Sequence, residues 1–368
     1  MDGHPTFRRD LGLTAAVLVL GLTPAGASLR DDRPGRAEVE RMERGYYERL
    51  LDSGRRLDAP AEPRAGSGHA PFQYGRLAVA VDDLREYALK PGLATTHRGA
   101  SWTTNALGLR DREYELTKPL HTVRFALLGD SIGTGWGVDD GLGFEPLAER
   151  ALDERSRAAG GPAVEIWNVS VPGHAPGQRW EDFVRLPGPT AVDLVIYEAT
   201  PADPGWDERR LRALLPRGLG WDAPQYRDSL ARAGVRPGGT AESYARALRP
   251  YRWEILENVY RTIAAECRAR GVPTLWILIP RVGHPADPSE RARLVDLARR
   301  SGFTATADFS DAFDGLDPAS LAIAPDDHHP KAEGHARLAR RLVSALAEHP
   351  EWIGGEARRN MPRPEARR

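Results

Sequence analysis

A single cysteine, Cys267, in 368 residues has no partner with which to close an intrachain disulfide. It sits in the run Ile263-Ala264-Ala265-Glu266-Cys267-Arg268, which reads as a helix with the thiol packed inside. Charge of one sign is also lacking. Lys and Arg number 51 against 52 Asp and Glu, a formal net charge of -1, which removes the electrostatic basis for binding nucleic acid or an anionic membrane surface. A small neutral or sugar-like substrate fits this balance better. No long apolar run occurs downstream of the first 22 residues, so no later segment reaches the roughly 20 apolar residues a membrane-spanning helix needs. What is present is a hydrophobic content of 41%, enough to fill a sizeable globular core.

The N-terminus carries Arg8-Arg9, an apolar stretch from Leu11 to Leu22, and Ala25-Gly26-Ala27, the order of parts in a cleavable export signal over residues 1–27. A periplasmic or extracellular chain, without stable membrane insertion after cleavage, is the expectation. An uncleaved N-terminal anchor is the alternative, disfavoured because the apolar stretch is short for a bilayer. Residues 28–75 are rich in Arg, Asp, Pro and Gly and read as a linker containing one polar helix from Glu38 to Leu51. Between 76 and 120, short apolar runs alternate with turn residues, which predicts a small β-rich lead-in.

From residue 121 the pattern changes. The runs Val123–Leu128, Val164–Val169, Leu194–Tyr197 and Thr274–Ile279 are short, apolar and partly β-branched, as strands buried on both faces are. Helical periods separate them, at Phe144–Ala158, Trp180–Leu186, Ser243–Arg270, Pro288–Arg300 and Lys331–Glu348. Strands alternating with helices predict a three-layer α/β/α sandwich around a parallel sheet over 121–348. Residues 204–242 interrupt the alternation and read as a cap or lid bearing Trp206 and Trp221; 349–368, Arg- and Pro-rich toward its end, reads as a disordered tail.

Three segments carry chemistry. The first strand runs into Gly129-Asp130-Ser131-Ile132-Gly133, which puts Ser131 at the carboxyl end of a parallel strand, where α/β folds collect their sites. The second ends in Asn168-Val169-Ser170-Val171-Pro172-Gly173-His174, where the Gly173 N–H can face a substrate oxygen. Near the C-terminus, Pro325-Asp326-Asp327-His328-His329-Pro330 precedes an amphipathic helix. On a tight loop, Asp326 would accept the Nδ1 hydrogen of His329 while Nε2 faces a hydroxyl. A metal site built from Asp326, Asp327, His328 and His329, or a solvated loop, are the competing readings.

Together these segments resemble the Ser-Gly-Asn-His hydrolases, also called the GDSL esterase/lipase family. The resemblance puts Ser131 at the nucleophile, Gly173 at the oxyanion glycine, and Asp326 and His329 at the Asp-x-x-His block. Asn105-Ala106-Leu107-Gly108-Leu109-Arg110 resembles a bacterial branch of that family with an N-terminal extension. The family's asparagine, whose amide completes the oxyanion hole, is missing. Tyr197-Glu198-Ala199-Thr200-Pro201-Ala202-Asp203 puts Ala202 at that position, with the Thr200 hydroxyl as a substitute donor. The resemblance implies ester hydrolysis through an acyl-serine, without metal or cofactor, on a small ester or an acylated carbohydrate such as an O-acetylated polysaccharide. Its rivals are O-acyl transfer to a polysaccharide and a non-catalytic module that binds glycan or protein. The N-terminal reading makes a direct prediction: Edman sequencing of exported protein finds Ser28 as the first residue, whereas recovery of a chain beginning at Met1 or Asp2 from washed membranes supports the anchor.

Overall fold

The chain is described by a computed structural model over residues 76–186 and 191–353. The expected export signal (1–27), the polar helix (38–51) and residues 354–368 lie outside the described residues. The first elements are two antiparallel hairpins, β1 (Ala78–Ala80) with β2 (Tyr87–Leu89) and β3 (Ala94–His97) with β4 (Ala100–Thr103). Leu77, Ala78, Tyr87, Leu89 and Trp102 form a small apolar cluster with Trp136 and Val171 of the following domain.

The alternation then begins: β5 (Thr122–Leu128), α1 (Phe144–Ala158), β6 (Ala163–Asn168), α2 (Pro176–Val184) and β7 (Leu194–Ala199). After β7 come α3 (Trp206–Leu214), α4 (Pro224–Arg232), α5 (Ala241–Leu248) and α6 (Arg252–Ala269). The chain continues through β8 (Thr274–Leu278), α7 (Pro288–Ser301), β9 (Ala305–Asp308), α8 (Pro318–Leu321), β10 (Ala322–Ala324), β11 (Asp327–Pro330) and α9 (Ala332–Ala347). β5 to β9 form one parallel sheet in the order β6-β5-β7-β8-β9. β5 pairs with both β6 and β7, so the chain leaves it on one side and returns on the other, the switch point at which open α/β sheets place their sites.

Alternate residues of each strand point to opposite faces, and the core divides accordingly. Phe125, Leu127, Ile166, Ile196 and Ile277 pack with residues of α1 and α9. Ala126, Leu128, Trp167, Tyr197 and Trp276 pack on the other face with residues of α2, α6 and α7. The fold is thus the three-layer α/β/α arrangement expected from the strand pattern. Cys267 of α6 is buried in the second cluster, where burial pushes its thiol up to about 12.

Several local expectations change. The helix expected over 243–270 is divided at a 3-10 turn, Arg249–Tyr251, where Pro250 has no N–H for an α-helical bond. The edge strand β9, Ala-Thr-Ala-Asp, is half-buried throughout and offers no apolar run to read. In the 204–242 insertion, Leu211, Tyr226 and Leu230 join the core cluster of the sheet. Trp206 is buried beneath the Arg179 guanidinium, and Trp221 packs edge-on to Tyr244 with its indole N–H on the Leu215 carbonyl. Both tryptophans therefore serve packing rather than a sugar platform. Order also continues past 348: Pro350–Trp352 is a 3-10 turn, and Trp352 packs in the cluster that contains Leu346 of α9.

One ion pair interrupts the apolar sheet. Arg124 of β5 is fully buried, with Nε 2.7 Å from Glu165 Oε2, its other nitrogens on the carbonyls of Glu115 and Leu116, and its guanidinium over Trp167. Arg124→Ala would leave Glu165 and both carbonyls uncompensated. It is expected to lower the unfolding free energy by about 3–5 kcal/mol in urea titration, and Arg124→Met with Glu165→Leu to recover much of that loss.

Candidate active site

The turn that bears Ser131 follows β5 directly. Asp130 Oδ1 accepts the Ile132 N–H at 3.0 Å, and the Asp130 carbonyl takes the N–H and hydroxyl of Thr134 at 2.9 and 2.5 Å. The Trp136 N–H bonds the Ser131 carbonyl at 2.9 Å. This coil holds Ser131 at 8% exposure, its hydroxyl turned toward the C-terminal segment. Gly135 and Gly137 have φ of 80° and 76°, values that a residue with a Cβ adopts only under strain.

His329 Nε2 lies 2.6 Å from Ser131 Oγ, and His329 Nδ1 lies 2.5 Å from Asp327 Oδ1. The carboxylate of this chain of hydrogen bonds is Asp327, not Asp326. The expectation of Asp326 assumed a tight loop, in which residues three apart can meet. The segment is instead the strand β11, paired antiparallel with β10, and on a strand residues two apart share a face. Asp327 and His329 therefore point inward together, while Asp326 sits exposed in the turn before them. Burial would raise the Asp327 carboxyl, but the His329 hydrogen bond and charge, with Arg98 beside it, hold it well below the usual carboxylate range. His328, on the other face, stacks edge-on to His284 at 3.9 Å between ring centres. Among the described residues no group of three or more His, Cys, Asp or Glu is arranged to hold a metal ion.

Gly173 has φ 79°, which only glycine adopts freely, and its carbonyl accepts Arg210 Nη2 at 3.0 Å. Its turn is fixed from outside the sheet, because the Tyr87 hydroxyl of β2 donates to the Pro172 carbonyl at 2.7 Å. The neighbouring His174 ring packs 4.4 Å from Tyr87 and bonds Asp182 at 2.5 Å. The N–H groups of Ser131 and Gly173 bond no acceptor among the described residues, so both remain available as oxyanion donors.

Thr200 does not remain available. Its hydroxyl donates to Asp203 Oδ1 at 3.1 Å within a buried network, so it is no substitute for the missing amide. Asp203 also takes the hydroxyls of Tyr197 and Tyr260 at 3.2 and 3.1 Å. Arg179 Nη2 stands 3.2 Å from Asp203 and 3.3 Å from Asp130. Glu198 completes this floor. A Cβ on Gly129 or Gly133 would collide with its carboxyl, and burial, then the Asp130 charge, push it well above the usual range.

Sequence reasoning left two further residues without a role. Arg110, noted only as part of the Asn105–Arg110 likeness, donates to the carbonyls of Thr134, Gly135 and Val138 and so braces the Ser131 turn. Arg98 reaches Asp327 from the β3–β4 hairpin. Arg110 follows Asn105, whose side chain folds the local turn onto the N–H groups of Leu107 and Leu109. That motif was the available signal.

No protein-family model matches the sequence, and no curated protein matches it. Solved structures similar to it include esterases and a lipolytic protein of the G-D-S-L family. A two-domain esterase, CEX, active on acetylated mannans, is 14% identical with a TM-score of 0.39; the match covers 67% of this chain and 53% of that one. Axe2, an acetylxylan esterase from Geobacillus stearothermophilus, is 15% identical with a TM-score of 0.39, over 65% of this chain and 99% of its own. A structure from Desulfitobacterium hafniense, described as a lipolytic protein of the G-D-S-L family, is 12% identical with a TM-score of 0.36, over 61% and 99%.

The two aspartates separate by mutation. Asp327→Asn is expected to reduce turnover of a short-chain aryl ester by roughly 10⁴-fold, because the imidazole then lacks the acceptor that fixes its tautomer. Asp326→Asn and His328→Ala are expected to stay within a few-fold of wild type. The reverse order in steady-state kinetics would restore the Asp326 assignment.

Proposed function

We propose that this protein is a serine esterase working through acyl-Ser131. The hydrogen-bonded series Asp327–His329–Ser131, with spacings of 2.5 and 2.6 Å, carries this reading. Ser131 Oγ adds to the ester carbonyl as His329 Nε2 takes its proton, and Asp327 keeps Nδ1–H directed at itself. The N–H groups of Ser131 and Gly173 hold the oxyanion. Collapse breaks the ester C–O bond, His329 returns the proton to the leaving oxygen, and the alcohol departs. Water then adds to the acyl-serine, His329 taking its proton and giving it to Ser131 Oγ as the acid leaves. The family resemblance together with the export signal favours an O-acetyl group on a carbohydrate as the natural ester.

One observation favours a second reading. With no asparagine at 202 and the Thr200 hydroxyl held by Asp203, the oxyanion hole has two backbone donors and no side-chain donor, which suits a weakened enzyme or a binding module that has kept the fold. Losing one donor typically costs about 10² to 10³ in turnover. Intact-mass analysis after a fluorophosphonate is expected to add one adduct, on Ser131, that is absent from Ser131→Ala. Acetate release from acetylated xylan or mannan, with and without an added sugar acceptor, separates hydrolysis from acyl transfer. Ala202→Asn is expected to raise turnover modestly, by less than that one-donor factor. A folded wild type that neither labels nor releases acetate, with Ala202→Asn also inert, would establish the binding module instead.

A further inference from the structure

The carboxylate that faces His329 has two oxygens, and only one is explained by the triad. Asp327 Oδ1 takes both the Nδ1 side and the N–H of His329, at 2.5 and 3.2 Å. Oδ2 is buried and accepts no hydrogen bond of regular geometry from the described residues; the group set against it is Arg98 Nη2, at 3.1 Å. Arg98 does not belong to the α/β/α layers. It occupies the first position of the two-residue turn Arg98-Gly99 that joins β3 to β4, where φ is 52° at Arg98 and 84° at Gly99. Positive φ at both positions is the requirement of a type I′ turn, whose favoured pair is Asn-Gly. Arginine at the first of them is conformationally disfavoured, so the turn alone does not account for it.

The hairpin is held firmly against the nucleophile domain. The N–H groups of Ser101 and Thr103 in β4 donate to Asp139 and Asp140 at 2.7 and 3.2 Å, the Ser101 hydroxyl accepts the Asp140 N–H at 2.9 Å, and Arg110 Nη2 bonds the Ser101 carbonyl at 2.8 Å. Trp136 fills the space beneath, 4.5 Å from the His97 ring, 5.8 Å from the His329 ring and 5.9 Å from the Arg98 guanidinium. The hairpin is therefore a fixed mount that carries one cation to the back of the triad.

We propose that Arg98 is a positioning residue for the proton relay, holding the Asp327 carboxylate aimed at His329 through its far oxygen. This rests on the serine-esterase reading above. The ion pair keeps Asp327 from rotating toward solvent, and the guanidinium places a positive charge directly behind the dyad. The other charged or titratable groups facing the dyad are His97 on β3, His328 on β11 with Arg281 beyond it, and His335 on α9 with Arg110 behind it. Burial, then neighbouring cations, push His97 down to about 4 and His335 down to about 3, and His328 is shifted down for the same reasons. None of these moves upward into the neutral range, so Arg98 is the cation whose removal acts directly on the relay.

The test is the rate of Ser131 phosphonylation by a fluorophosphonate across pH 5–9, followed by intact mass on the full chain. Arg98→Asn deletes the charge while giving the turn its favoured residue, and Arg98→Lys restores a cation. Arg98→Gln makes the same deletion if the Asn variant folds poorly, as judged by near-ultraviolet circular dichroism. Arg98→Asn is expected to label about tenfold more slowly at pH 7, well short of the roughly 10⁴-fold cost of losing the triad carboxylate itself. Its acid limb is expected to move to higher pH, and Arg98→Lys to return most of the rate and the original limb. An unchanged rate and limb in Arg98→Asn overturns the proposal. So does a slower rate with an unmoved limb that lysine fails to restore, because that is the signature of a structural contact. A wild type that takes no label at all refutes the serine-esterase reading, and with it this one.

Discussion

A single guanidinium, that of Arg179, joins the three loops from which the site is made. It is fully buried, so its charge must be matched inside the protein. Asp130 of the Ser131 turn and Asp203 of the loop after β7 supply the match, and the carbonyls of His174 and Glu198 take further N–H groups at 3.0 and 2.7 Å. Together these contacts come from the ends of three neighbouring strands, β5, β6 and β7. Removing the cation would leave two carboxylates facing each other in the interior, so one buried charge ties the Ser131, Gly173 and Asp203 loops together. Glu198 lies beneath the glycines of the Ser131 turn, and burial, then the Asp130 charge, push its carboxyl well above the usual range.

The strand pattern was the most legible part of the chain. β5 to β8 are apolar on both faces, and nothing but a sheet covered by helices on both sides suits such runs. β9 was not legible, because a four-residue edge strand with half-buried positions has neither length nor periodicity to mark it. Ser131, Gly173 and His329 could be named because each stands in a short motif at the end of a strand or just before a helix. Asp327 could not be chosen over Asp326, since that choice depends on whether the segment is extended or turned, and Asp-Asp-His-His permits both.

The lead-in was the least legible region in terms of purpose. Its strands are short and its apolar residues few, so sequence reveals a β-rich stretch and little else. In three dimensions Tyr87 reaches the Gly173 turn, Arg98 the Asp327 carboxylate and Arg110 the Ser131 turn. All three are long side chains acting at a distance in sequence, a relationship that no local window contains.

The strand character of β11 has one more consequence. Asp326-Asp327-His328-His329 holds two interleaved copies of the same pair, Asp326 with His328 and Asp327 with His329, and parity alone decides which copy faces Ser131. That parity is set by the flanks, through the pairing of Ala324 with Asp327 and Ala322 with Pro330 and the bond from the Lys331 N–H to the Leu321 carbonyl. A one-residue deletion or insertion in the β10–β11 turn would ordinarily turn every side chain of the strand to the wrong face. Here a one-residue insertion before Asp326 would instead bring Asp326 and His328 to the positions of Asp327 and His329, so the segment carries its own spare against a shift in that direction.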